Sequence, residues 1–183
     1  GWELYIPTEF SLYVYEQILS IGSRFGLKLA GMHALNACRL EKGYRHWGHD
    51  VGIEDSPLEA GLSFTCDWDK PGGFVGDRAL SRQRELGLPK KRLVQFKLKQ
   101  PDEILMHEEP IFANGQPVGV VTSGMYGHRV NASLGMGYIH LDAPITVETL
   151  GAMAFEIGIG DRLVQAEAQL TPWYDPKGLL IKV

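Results

Sequence analysis

The sequence predicts an α+β chain in two parts: a mixed piece over residues 1–88, then an all-β piece over residues 89–183. Three observations predict this. In the first part apolar residues recur at helical spacing between cap-like residues. After Arg92 the chain changes to short apolar runs separated by glycine-containing turns. Between them Gly87-Leu-Pro-Lys-Lys91 has the composition of a linker.

Taken in order, Trp2–Ile6 is aromatic and β-branched and predicts a strand that starts at the chain's first residues. Thr8 and Glu9 then fit a helix start, with Thr8 as cap and Glu9 near the positive end of the dipole. Tyr15, Ile18, Leu19 and Gly22 follow at helical spacing, and Gly26 is a stop. Residues 27–30 predict a short strand, and residues 32–42 a second helix ended by Gly43. Residues 44–55 read as an irregular loop. Ser56 and Pro57 open a short helical turn. Residues 67–76 are loop, and Asp77 caps a helix to about Leu86.

In the second part, residues 93–98 partly alternate, and residues 111–121 form a hairpin turning at Asn114-Gly115. Residues 134–140, 153–159 and 163–170 supply further strands. The regular spacing suggests a small barrel or a sandwich. Gly158-Ile-Gly160 is a turn between strands and not a dinucleotide fingerprint, because Asp161-Arg-Leu163 stands where the third glycine and a helix would be needed.

Composition narrows the function classes. A net charge of −4 with a pI near 5.9 argues against non-specific nucleic-acid binding, which needs a concentrated basic patch. No run approaches the ~18 apolar residues of a membrane span, and nothing at the start reads as a signal peptide. Cys38 and Cys66 lack metal-type spacing and are expected as reduced, mostly buried thiols. A chain that opens without Met, directly in a strand pattern, is expected to be a piece of a larger polypeptide.

One stretch stands out: Arg39-Leu-Glu-Lys-Gly-Tyr-Arg-His-Trp-Gly-His-Asp50. It is too aromatic for a solvated loop and too charged for a core, and it suits a wall around a polar, aromatic small molecule. His46, His49 and Asp50 have metal-ligand chemistry, but Gly48 between the histidines speaks against a helical metal motif, and no metal is expected. Glu41 and Lys42 read as ordinary ion-pairing residues at a helix end. Glu3 shares a strand face with Tyr5. It is either a plain edge carboxylate or an acceptor pair for a heterocycle with adjacent N–H donors. Trp173-Tyr174 after Pro172 is either a plug on the barrel or a hydroxyl reaching a neighbouring pocket. Ser123 lacks the nucleophile-elbow sequence, so no hydrolase is expected.

Several segments resemble one family in the family's own order: Gly1-Trp-Glu-Leu-Tyr-Ile-Pro7, Leu29-Ala-Gly31, Arg39-Leu-Glu-Lys-Gly43, Gly48-His-Asp50, Pro57-Leu-Glu-Ala-Gly-Leu62, Lys70 with Phe74-Val-Gly76, Val118-Gly-Val-Val-Thr-Ser-Gly124 and Leu134-Gly-Met-Gly-Tyr138. The chain resembles the folate-binding aminomethyltransferases, that is, the glycine cleavage T-protein and the C-terminal half of dimethylglycine and sarcosine dehydrogenases. The full Arg39–Asp50 stretch is most similar to the dehydrogenase branch. The resemblance implies that residues 1–88 are the C-terminal part of a folate-binding α+β domain and that residues 89–183 are a small antiparallel β-barrel.

It also implies a chemistry, in which a one-carbon unit from a small N-methylated amine or amino acid passes to tetrahydrofolate. Glu3 then matches the pterin-binding glutamate, Trp47 the aromatic packed on the cofactor, and Tyr174 a C-terminal tyrosine contact. Two family positions differ: an arginine is replaced by Leu35 and its neighbouring aspartate by Asn36. The family's catalytic aspartate and the FAD-binding domain both belong to N-terminal parts missing here, so no catalytic residue is expected in this fragment and the fragment alone is expected to be inactive. The expected partner is that missing N-terminal part, with no membrane or nucleic acid. The expected compartment is the cytoplasm of a bacterium or the mitochondrial matrix of a eukaryote. Two alternatives remain open: a non-catalytic regulatory or scaffolding module of the same fold, and a demethylase using sulfur- or oxygen-bound methyl donors.

Overall fold

The computed structural model describes residues 2–181. The chain forms two compact units, Gly1–Leu35 and Asn36–Val183.

The first unit is mainly one helix, α1 (Thr8–Gly22), followed by a short 3-10 turn over Ser23–Phe25. Pro7 is the N-cap, so Thr8 is the first helical residue and not the cap, and it makes no capping bond. Glu9 does sit in the first turn, favourably placed on the dipole. Gly26 closes the segment in the left-handed region (φ 71°), as its position predicts. Residues 2–6 and 27–30 are not strands. β-rich residues still need a neighbouring strand to pair their backbone groups, and none stands beside these segments among the described residues. Gly1, at the head of the expected strand, lies outside the described residues.

The second unit is built on a closed six-stranded antiparallel barrel. Its strands are β1 (Lys91–Leu98), β2 (Pro110–Ala113), β3 (Gln116–Gly127), β4 (Ala132–His140), β5 (Phe155–Ile159) and β6 (Arg162–Gln169), in the order β1-β4-β3-β2-β5-β6 with β6 returning to β1. The choice between barrel and sandwich is thereby settled. Along β1, Val94, Phe96 and Leu98 enter the barrel core, while Leu93 joins a cluster on the outer face. Inside, Phe96 meets Phe155 edge-on at 5.6 Å. Full burial of such side chains contributes about 1.5–3 kcal/mol each. The β2–β3 turn is as expected: Asn114 (φ 51°) and Gly115 (φ 77°) both take the left-handed conformation of a two-residue hairpin turn. A short helix, α3 (Asp77–Glu85), precedes the barrel, and another, α4 (Val147–Gly151), bridges β4 and β5 with Thr146 as its N-cap. The sequence reading did not foresee α4.

The outer face of β1, β4 and β3 is covered by the chain that leads into the barrel. Helix α2 (Met32–Glu41) lays Leu40 on Leu93, Met136 and Tyr138. The following loop returns through a turn closed by Ser56 and Glu59, each bonding the other's backbone N–H (Glu59 N to Ser56 Oγ 3.2 Å, Ser56 N to Glu59 Oε2 2.9 Å). This is a capping box. Leu93 N–H then donates to Glu59 O at 2.9 Å, tying the turn to the barrel.

Candidate functional site

Helix α2 ends where the unusual stretch begins. The helical period puts Ala37, Leu40 and Glu41 on the buried face. Gly43 (φ 64°) then reverses the chain, and a Cβ there would overlap the buried side-chain amide of Gln95 on β1. Most of the charge in the stretch turns inward, against the expectation that it forms a ligand wall throughout. Arg39 donates to Asn36 Oδ1 (2.6 Å), to Asp50 and to Ser123 Oγ (2.8 Å). Asp50, fully buried, also accepts from His46 N–H (2.9 Å) and Thr122 Oγ1 (2.6 Å). A buried carboxylate with that many donors is satisfied within the fold.

Glu41 is buried as well. Its carboxylate accepts from the Arg129 backbone N–H (2.6 Å) and guanidinium (3.3 Å); the guanidinium's bond to Cys38 Sγ, and after it the one to Glu41, raise the Arg129 pKa. Glu41 O receives Tyr174 N–H at 3.0 Å, and Lys42 Nζ donates to Asp175 O and lies 3.4 Å from its Oδ2. The ion-pair reading of Glu41 and Lys42 holds, with burial added. Burial works to raise the Asp175 carboxyl, but the N–H groups of Leu179 and Leu180 and the Lys42 ammonium more than offset it, so its pKa is lowered. Arg45 donates to Ala60 O and Gly43 O, and burial lowers its pKa against the pull of Asp50.

What faces solvent is the aromatic part. Trp47 is 67% exposed at the tip of a loop whose His46 and Asp50 are held from beneath. Gly48 N–H to Val51 O (2.9 Å) and Asp50 N–H to His46 O (2.8 Å) close this loop. Tyr44 is also exposed, and Arg129 stacks over the Tyr174 ring at 5.3 Å. So Trp47 and Tyr174 are both carried by segments fastened to the last turn of α2. Glu3 belongs to the first unit, where it is exposed and accepts the Tyr5 hydroxyl at 2.8 Å. The two side chains share a side as alternation predicts, without a hydrogen-bonded strand. His46 and His49 stack at 4.6 Å, and no metal-binding cluster of His, Cys, Asp or Glu is found among the described residues. The cysteines are unbridged, but Cys38 is exposed and Cys66 half-buried, which corrects the expectation of burial. Cys38 lies off the buried face of α2, at 3.7 Å from Arg129.

Two family profiles match in succession: the one described as "GCVT N-terminal domain" over residues 1–70 and the one described as "Glycine cleavage T-protein C-terminal barrel domain" over residues 91–175. The chain belongs to the glycine cleavage T-protein family. This bears out the resemblance read from the motifs, and the profile of the barrel domain falls on the closed barrel seen here.

Among its relatives is 4-methylaminobutanoate oxidase (formaldehyde-forming) of Paenarthrobacter nicotinovorans, 42% identical over 97% of this chain and 21% of that protein. Mitochondrial sarcosine dehydrogenase of Homo sapiens is 37% identical over 100% of this chain and 20% of that protein. The chain thus spans about a fifth of the length of these curated relatives. It also shares its fold with glycine cleavage system aminomethyltransferase T from Bartonella henselae, with a TM-score of 0.75 over 93% of this chain and 45% of that one at 21% identity. Among the described residues no helix is long and apolar enough to cross a membrane.

Proposed function

We propose that this T-protein family chain is the C-terminal fragment of a tetrahydrofolate-dependent enzyme of the dimethylglycine or sarcosine dehydrogenase type. In this reading residues 1–88 end the folate-binding domain and residues 89–183 are its barrel. The observation that carries the reading is Trp47, an exposed indole on a loop whose base is locked by a buried carboxylate. A rigid exposed aromatic is a platform for a flat ring. The residues present fit a folate. The exposed Glu3 carboxylate offers two acceptor oxygens to the paired N–H donors of a pterin edge, and Tyr174 adds a contact from the C-terminal segment.

The role of these residues is positioning. Glu3 would fix the pterin's in-plane orientation and Trp47 its plane, neither contributing a reacting group. Tetrahydrofolate, when bound, supplies the amines that accept a one-carbon unit from an N-methylated amine or amino acid. No catalytic residue is assigned within the fragment, and FAD belongs to a preceding domain of the parent polypeptide. Compartment follows source, with cytoplasm for a bacterial parent and mitochondrial matrix for a eukaryotic one.

The test is calorimetric titration of tetrahydrofolate into the full-length parent and its Glu3→Ala variant. We expect the variant to bind more than about tenfold more weakly, roughly 1.4 kcal/mol. No binding by the intact parent overturns the enzyme reading. It would put in front a non-catalytic module of the same fold, a reading favoured by one observation: Leu35 stands where the family has an arginine, and the adjoining Asn36 is engaged by Arg39.

A further inference from the structure

The register of β3 against β4 is interrupted once. Val121 pairs with Gly137 and Ser123 with Met136, so Thr122 is an extra residue, a β-bulge. Val121 remains in the barrel core while Ser123 lies opposite Met136, a member of the outer cluster. A regular strand would send Thr122 and Ser123 to opposite faces. The bulge instead lets two consecutive hydroxyls reach the same outer pair of residues. Thr122 Oγ1 lies 2.6 Å from Asp50 Oδ1, against 3.2 Å to its other acceptor, Met136 O. Ser123 Oγ accepts from Arg39 Nη2 at 2.8 Å. Asp50 Oδ2 in turn holds His46 N–H, one residue before Trp47.

We infer that Thr122 and Ser123 are positioning residues for Trp47, and that the bulge in β3 exists to set the pose of the 46–51 loop from the barrel side. Bulges re-aim side chains in this way near functional sites. The inference rests on the folate reading of Trp47 given above. Its physical basis is that a buried ion pair alone leaves a guanidinium and a carboxylate free to slide along each other. A hydroxyl on each partner, both fixed to one strand, removes that freedom. The bonds involve ionised groups and so are the stronger kind.

The test compares Thr122→Val, Ser123→Ala and Thr122→Ser with the wild-type chain by residue-resolved amide hydrogen exchange. In Thr122→Val and in Ser123→Ala we expect exchange at His46, Gly48 and Asp50 to accelerate about tenfold, the effect of one lost charge-assisted bond. Amides of β1 should keep their rates, and Thr122→Ser, which retains the hydroxyl, should match wild type. Unchanged loop rates overturn the inference. So does a uniform rise across the barrel, which would mean general destabilisation. A second arm measures tetrahydrofolate affinity in the full-length parent. Thr122→Val should weaken binding when Trp47 is present and add nothing to Trp47→Ala. If Trp47→Ala alone leaves affinity unchanged, the folate reading of Trp47 fails whatever the exchange data show. If Trp47→Ala weakens binding and Thr122→Val leaves both affinity and loop exchange untouched, the positioning inference alone fails.

Discussion

Charged residues in the Arg39–Asp50 stretch do most of their work facing inward, and two carboxylates outside it carry a pH signature. Asp55 and Asp175 both have lowered pKa values. In each case burial pushes the carboxyl up and donors outweigh it: Lys91 and Gly52 N–H for Asp55, and Leu179, Leu180 and Lys42 for Asp175. A carboxylate whose folded pKa lies below its unfolded value of about 3.9 adds stability that is complete above that value. The contribution fades as pH falls through the lower, folded value. We therefore expect urea-unfolding stability to drop below about pH 4, and Asp175→Asn to flatten that drop. An unchanged acid limb in the variant would show that Asp175 does not contribute to it. The sequence marked this stretch as unusual but could not say which way its side chains face. Orientation depends on Leu40 meeting Leu93 and Met136, contacts made across dozens of residues.

Strands were legible where they pair and illegible where they do not. The hairpin at Asn114-Gly115 is set by local turn chemistry, and short apolar runs between glycine-containing turns marked most of the barrel. Residues 2–6 have the same composition, yet lack a neighbouring strand among the described residues and form no strand. The bulge at Thr122 is invisible to composition, since only the partner strand reveals the extra residue. Glycines separate in the same manner. At Gly119 on β3 a Cβ would overlap the Tyr138 carbonyl oxygen across the strand pair, whereas at Gly151 in α4 nothing lies within 4 Å. Gly119→Ala should then cost about 2–3 kcal/mol through forced strand separation. Gly151→Ala should be neutral or stabilise by up to about 1 kcal/mol. Chemical denaturation of both variants checks the contrast, and equal effects would contradict the close approach at Gly119.

At the scale of the whole chain the two units differ in what they bury. Helix α1 has no buried residue, and Phe10, Leu12, Tyr13 and Ile21 are all exposed, while the barrel encloses a continuous core. Isolated helices of this length are marginal in water, so amides of α1 should exchange at least about a hundredfold faster than those of β1 and β4. Equal protection would show that α1 is held by contacts the chain alone does not reveal. The family and its barrel were legible at this scale because ordered motifs survive when single residues are ambiguous. The strand order carries a last consequence. β1 is flanked by β4 and β6, so the first strand synthesised waits for the last before its edge is covered. At about 5–20 residues per second the ribosome needs several seconds to deliver β6 after β1. Through that interval the nascent barrel is an open sheet with a sticky margin, open to strand pairing with other chains until β6 arrives.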